Sequence, residues 1–169
     1  MVDHLRRQIK GGFMRVSTFA EIEDQFIARA HKMVWCNVAT VDTQGRPHSR
    51  ILHSIWDGPT GWIATRRHSP KARELAQNQH VSLAYIADVV RPAYADCLAS
   101  WEDDLALKRY VWGLFVAAPA PLGYDPAPIF GSVDAPDFGL LRLTPYAIEL
   151  GDVSGQGERR TVWRAAIEE

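Results

Sequence analysis

The stretch from Val34 to Arg66 constrains the fold more than any other, because its period and its turns fit antiparallel strands joined end to end. Val34 to Val41 is rich in β-branched and apolar residues and ends in the polar turn Asp42-Thr43-Gln44-Gly45, after which Pro47 to Trp56 reads as the returning strand of a hairpin. Asp57-Gly58-Pro59-Thr60-Gly61 makes the next turn, and Trp62 to Arg66 a third strand. Val81 to Ile86, Tyr94 to Trp101, Gly139 to Leu150 and Thr161 to Arg164 supply further strands. Consecutive hairpins with short turns and only three helices favour a mainly β antiparallel barrel over a doubly wound sheet. The order of strands in the sheet is not encoded in these local signals.

Helical spacing covers three segments. Phe19, Ile22, Phe26, Ile27 and Ala30 follow it after Ser17 or Thr18 as cap, with Glu21, Glu23 and Asp24 in the first turns. A second helix runs from Ser69 to about Asn78, and a third from Asp103 to Ala118 with Leu105, Tyr110, Val111, Leu114 and Phe115 as its apolar stripe. The Pro-rich segment from Pro119 to Phe138 reads mostly as loop, and so long a loop is functional or a subunit contact. Its Tyr124, Phe130 and Phe138 are candidates for an interface wall. Residues 1–13 read as a flexible leader, with Met14 an alternative start, and residues 14–169 as one domain.

The chain has 169 residues, 47% apolar and 23% charged, as expected of one globular domain with a real core. A net charge of -1 argues against general nucleic-acid binding. No apolar run approaches the roughly 20 residues of a membrane span and the first residues carry no signal-peptide core, so a cytoplasmic protein is expected. Cys36 and Cys97 lack metal-ligand spacing and read as buried free thiols. Strand alternation sends His48 and His53 to opposite faces, so no metal site is expected. No HExxH motif, carboxylate pair or Ser-His-Asp order supports hydrolysis. Trp35, Trp56 and Trp62 fall in adjacent strands and are expected to fill the barrel or a dimer seam.

A local cluster of cations, four of the 19 Lys and Arg residues, lies in Thr65-Arg66-Arg67-His68-Ser69-Pro70-Lys71-Ala72-Arg73. Here a strand passes through a cationic loop into a helix with Ser69 at the N-cap and Pro70 at the first helical position. Helix dipole, unpaired N–H groups and the cations Arg66, Arg67, Lys71 and Arg73 together make an anion site suited to a phosphate group. Taken alone, the segment reads equally as a capped surface helix with a solvated basic face.

Three segments taken together, Arg46-Pro47-His48-Ser49-Arg50-Ile51-Leu52-His53, Trp62-Ile63-Ala64-Thr65 and Ser69 to Tyr85, resemble the pyridoxamine 5'-phosphate oxidase-like, FMN-binding split-barrel family of the flavin and deazaflavin oxidoreductases. The resemblance covers roughly Phe19 to Asp152 and lies in the order and spacing of the elements. It implies a homodimer of six-stranded split barrels that binds FMN at the dimer interface, with a deazaflavin cofactor, haem or another tetrapyrrole in some members. Carried over position by position, it makes Arg50 the strand arginine on the FMN phosphate and sets Ile51, Leu52 and His53 along the cofactor. Ala64 and Thr65 lie beside the flavin, Ser69 and Lys71 at the phosphate, with Arg67 or Arg66 compensating for Pro70 where the oxidases have a second basic residue. Trp163 is a candidate cover for the flavin ring from the partner subunit.

The resemblance implies an oxidoreductase acting on a small organic substrate, or a non-catalytic flavin- or haem-binding stress-related protein. It departs from the true oxidases at the C-terminus, where these carry an Arg-x-His substrate clamp. Here the tail is Gly155-Gln156-Gly157-Glu158-Arg159-Arg160-Thr161-Val162-Trp163-Arg164, and no His follows His80. No catalytic acid or base is assigned; His48, His53 and His68 are the titratable groups near the expected groove.

Overall fold

The computed structural model describes residues 12–153 and 157–166. Eight strands and four α-helices follow in the order β1 (Gly12–Val16), α1 (Glu23–Lys32), β2 (Trp35–Val41), β3 (Pro47–Asp57), β4 (Thr60–Arg66), α2 (Pro70–Gln77), β5 (His80–Tyr85), β6 (Ala93–Glu102), α3 (Leu105–Ala117), α4 (Ala127–Phe130), β7 (Phe138–Asp152) and β8 (Arg159–Arg164). A 3-10 turn, Phe19–Glu21, precedes α1. The sheet order is β1-β8-β7-β4-β3-β2-β5-β6, and an additional β6–β7 pairing closes β2 to β7 into a six-stranded antiparallel barrel. The expected barrel is therefore the observed one.

Side-chain alternation divides the apolar residues between two cores. Trp56, Ile63 and Leu141 point into the barrel, where they meet Val38, Leu83, Cys97 and Ile148. Their chain neighbours Ile55, Trp62 and Leu140 point outward and pack beneath Val111, Phe115 and Phe138. A strand buried on both faces carries a continuous apolar run, as Ile55-Trp56 and Leu140-Leu141 do. Helix α1 closes the first core: Phe26 is fully buried, edge-to-face on Trp56 with ring centroids 4.7 Å apart. The 3-10 turn ahead of α1 opens with a capping box, in which the Glu21 carboxylate accepts from the Thr18 backbone N–H at 2.8 Å. Cys36 and Cys97 are both free thiols inside the barrel.

Several local expectations need correction. Gly12 and Phe13, assigned to the leader, form part of β1, which runs parallel to β8 with Met14 opposite Thr161; the rest of the leader, 1–11, lies outside the described residues. The Pro119–Phe138 segment contains the one-turn helix α4, seated on a Pro126 carbonyl that accepts from the N–H groups of Ile129 and Phe130, and its last residue opens β7. Of the two places expected for Trp35, the barrel or a dimer seam, the barrel is excluded: Trp35 is 58% exposed, with its side chain on the outer face beside His53. Trp62 belongs to the outer core, not the barrel. Among the described residues no helix is long and apolar enough to cross a membrane.

Candidate functional site

On the outer face of β3 and β4 lies a cleft of about 550 Å³, within the range typical of small-molecule sites. Leu52, His53, Ala64 and Thr65 line it from β3 and β4, Val34 and Trp35 from the start of β2, and Pro121, Tyr124, Ile129 and Phe130 from the segment after α3, with Leu52 turning its side chain to the barrel core. The long segment after α3 thus supplies a wall from the same chain. Four of the positions assigned to the cofactor from sequence line this cleft. Ile51, on the same strand, is 59% exposed.

His53 is held on three sides by aromatic rings. Its centroid lies 4.9 Å from Tyr124, 5.4 Å from Trp35 and 5.5 Å from Phe115. Burial lowers its affinity for a proton, a hydrogen bond to the Leu122 backbone opposes this, and His31 adds to the lowering. The net direction is downward from the ordinary histidine value, so the ring is neutral at neutral pH. Its Nε2 is buried with no hydrogen-bond partner. Burial also pushes the Tyr124 phenol up to about 12, which keeps it protonated.

Beyond Thr65 and Arg66 the chain enters the α2 start, where Arg67, Ser69 and Arg73 line a second, open groove. Ser69 is the N-cap of α2 but makes no side-chain cap bond, and its Oγ is buried without a partner. Arg67 Nη1 is likewise buried and unpaired, although the guanidinium lies 4.5 Å from the Trp101 ring centroid and Nη2 reaches Asp103 at 3.4 Å. Gly139 permits this close layering, since a Cβ there would meet Trp101 at 2.5 Å. Arg66, the other basic residue considered for this end, is exposed and paired with Asp137.

Arg50 and Lys71 come together on the other side of the α2 start. Lys71 is half-buried; its ammonium is pushed below the usual lysine range by burial and by Arg50, with Glu74 acting the other way. Arg50 Nη2 donates to Glu74 Oε2 at 2.9 Å, and Nη1 donates to the Thr40 hydroxyl. Glu74 Oε2 also accepts from that hydroxyl, and Oε1 lies 2.9 Å from His48 Nδ1. Burial raises the Glu74 carboxyl, but the bonds from Thr40, His48 and Arg50 outweigh it and hold the group below the usual carboxylate range. His48 and Arg50 do share one face of β3, as alternation requires, and His53 faces the other way.

Sequence reading did not single out Thr40 and Glu74. The available signal was helical spacing: Glu74 lies beside Leu75 on the buried face of α2 and one turn from Lys71. Trp163 is not brought to the cleft of its own chain. It packs on the barrel core, edge-to-face with Phe19 at 5.5 Å. His68 is exposed in the groove beside Arg67.

The donor set fits a flavin mononucleotide: an apolar cleft suits a flat ring system, and the separate groove that follows Arg66 in the chain holds buried, unpaired hydroxyl and guanidinium groups at a helix N-terminus. The family model described as pyridoxamine 5'-phosphate oxidase matches residues 22–150. General stress protein 26 of Bacillus subtilis (strain 168) is 27% identical over 121 residues, 68% of this chain and 86% of that protein. Two solved structures share the fold. PhzG of Burkholderia lata, in complex with tetrahydrophenazine-1-carboxylic acid, superposes with a TM-score of 0.67 at 16% identity, covering 91% of this chain and 90% of its own. A pyridoxamine 5'-phosphate oxidase-related, FMN-binding protein of Nostoc punctiforme gives 0.64 at 15% identity, over 90% and 94%.

Proposed function

The chain belongs to the pyridoxamine 5'-phosphate oxidase family, and from that premise we propose that it binds FMN in the β3–β4 cleft and acts as a flavin-dependent oxidoreductase on a small organic substrate. One observation carries the reading: directly after the β4 residues that line the apolar cleft, Arg67 Nη1 and Ser69 Oγ are buried without partners at the start of α2. Buried polar groups are almost always hydrogen-bonded, and a phosphate would satisfy both kinds of donor. The flavin, when bound, supplies the two-electron chemistry.

The chain's own residues bind and orient. In this reading Arg67, Ser69 and the α2 N-terminus hold the phosphate from one side and Arg50 and Lys71 from the other, with Thr65 next to them in the cleft lining. Ala64 and His53 face the ring from β4 and β3, Trp35 and Tyr124 flank it, and neutral His53 offers Nε2 as an acceptor, while Leu52 contributes from β3 with its side chain against the barrel core. The exposed Trp35 and Ile51 at the rim support a homodimer that covers the cleft mouth. The reading does not extend to vitamin-B6 phosphates: a second phosphate needs its own cations and a C-terminal Arg-His pair, and no His follows His80.

Titration of purified protein with FMN, a deazaflavin cofactor and haem, followed by absorbance and light scattering, tests this. We expect a saturable flavin spectrum on a dimer. Failure of FMN to bind, or a haem Soret band in its place, would refute the assignment.

A further inference from the structure

We infer that Glu74 is an internal counter-anion that tempers the grip on the cofactor phosphate. This rests on the reading of Arg50 and Lys71 as part of the phosphate end. Both Nη atoms of Arg50 already have acceptors, Thr40 Oγ1 and Glu74 Oε2, the latter at 2.9 Å. Glu74 is only 9% exposed and is held by three different side chains, two through Oε2 and His48 through Oε1. A buried carboxylate with this many donors stays ionised, and it cannot swing out to solvent without abandoning all of them.

The charges of Arg50 and Lys71 are thus partly neutralised by Glu74 before any phosphate arrives, leaving one net positive charge for a group that carries about -1.5 to -2. Two anions sharing one guanidinium repel, and at the effective dielectric of a partly buried site that weakens phosphate binding by about tenfold. An alternative role, in which the carboxylate orients Arg50 and so strengthens the grip, predicts the opposite sign. The Thr40 hydroxyl favours the counter-anion: it accepts from Nη1 and already fixes the guanidinium without a charge.

The test compares FMN with riboflavin, which lacks the phosphate, by calorimetric titration of wild type, Glu74→Gln and Glu74→Ala. Glutamine keeps the shape and an acceptor for Thr40 and Arg50 but not the charge. We expect Glu74→Gln to bind FMN about tenfold more tightly with riboflavin affinity unchanged, and Glu74→Ala to shift the FMN-to-riboflavin ratio in the same direction. Unchanged or weaker FMN binding in a Glu74→Gln protein that melts like wild type overturns the inference, as does an equal change for both ligands. Those results leave the flavin reading standing. If wild type and Glu74→Gln both ignore FMN, the flavin reading falls and this inference with it.

Discussion

Ser69→Ala is expected to move stability and cofactor affinity in opposite directions. Replacing an N-cap serine by alanine ordinarily costs about 0.5–2 kcal/mol, because a side-chain bond to the helix start is lost. Ser69 makes no such bond, and its Oγ is buried without a partner. Burying an unsatisfied hydroxyl costs about 1–3 kcal/mol, so removing it stabilises the cofactor-free protein by about 1 kcal/mol or more. For a domain of this size that raises Tm by about 2–4 °C for each kcal/mol. The same substitution removes a hydroxyl donor to a phosphate, a charge-assisted bond of about 1.5–3 kcal/mol, so FMN should bind about ten- to a hundredfold more weakly. Scanning calorimetry of flavin-free protein and a parallel FMN titration measure the two. A lower Tm in the variant would show that Ser69 does support α2, and an unchanged FMN affinity would remove it from the phosphate end.

Two further perturbations probe the barrel. Tyr85→Phe should lower stability by about 1–3 kcal/mol in urea unfolding, because the Tyr85 hydroxyl accepts from Trp56 Nε1 at 2.8 Å and lies 2.8 Å from Ser54 Oγ, both inside the core; an unchanged midpoint would show that these groups find other partners. His31 Nε2 accepts from the Trp56 backbone N–H at 2.9 Å, and burial holds its proton affinity below the ordinary histidine value. Folding therefore favours the neutral ring. The stability it contributes is complete above the unfolded value near pH 6.5 and declines as pH falls below it toward the lower folded value. In His31→Gln, which keeps an acceptor for Trp56, the loss of stability between pH 7.5 and 5.5 should shrink; an identical loss would assign the pH dependence elsewhere.

Much of the barrel was readable because four of its six pairings join strands consecutive in sequence, and the tight turns among them have their own chemistry. Asp42 accepts from the backbone N–H groups of Gln44 and Arg46, and Gly45 takes a φ of 78°, all written locally. β1 was not readable. Its partner β8 lies some 150 residues away, the pairing is parallel, and four of its five residues are exposed, so no alternation marks it. Helix α4 hides behind Pro126 and Pro128, since a single turn has no period to detect. At the site, the sequence yielded the strand and helix-start positions but not Glu74, because a charged residue on a surface helix ordinarily faces water. Only the approach of α2 to β2 and β3 places its carboxylate on Arg50 and Thr40.

The division into two cores separates access to the cleft from the integrity of the barrel. The wall formed by Tyr124 and Phe130 belongs to the outer layer, which is fastened by Val111 and Phe115 in the second core and by the Tyr110–Asp57 and Lys108–Phe138 bonds at its margin. Ligand traffic is then a matter of local opening, with a free-energy cost set by that layer alone. Amide exchange would report two protection classes, slow for the strands and faster for the segment from α3 to α4, and a population of open clefts would coexist with an unbroken ladder of strands beneath it.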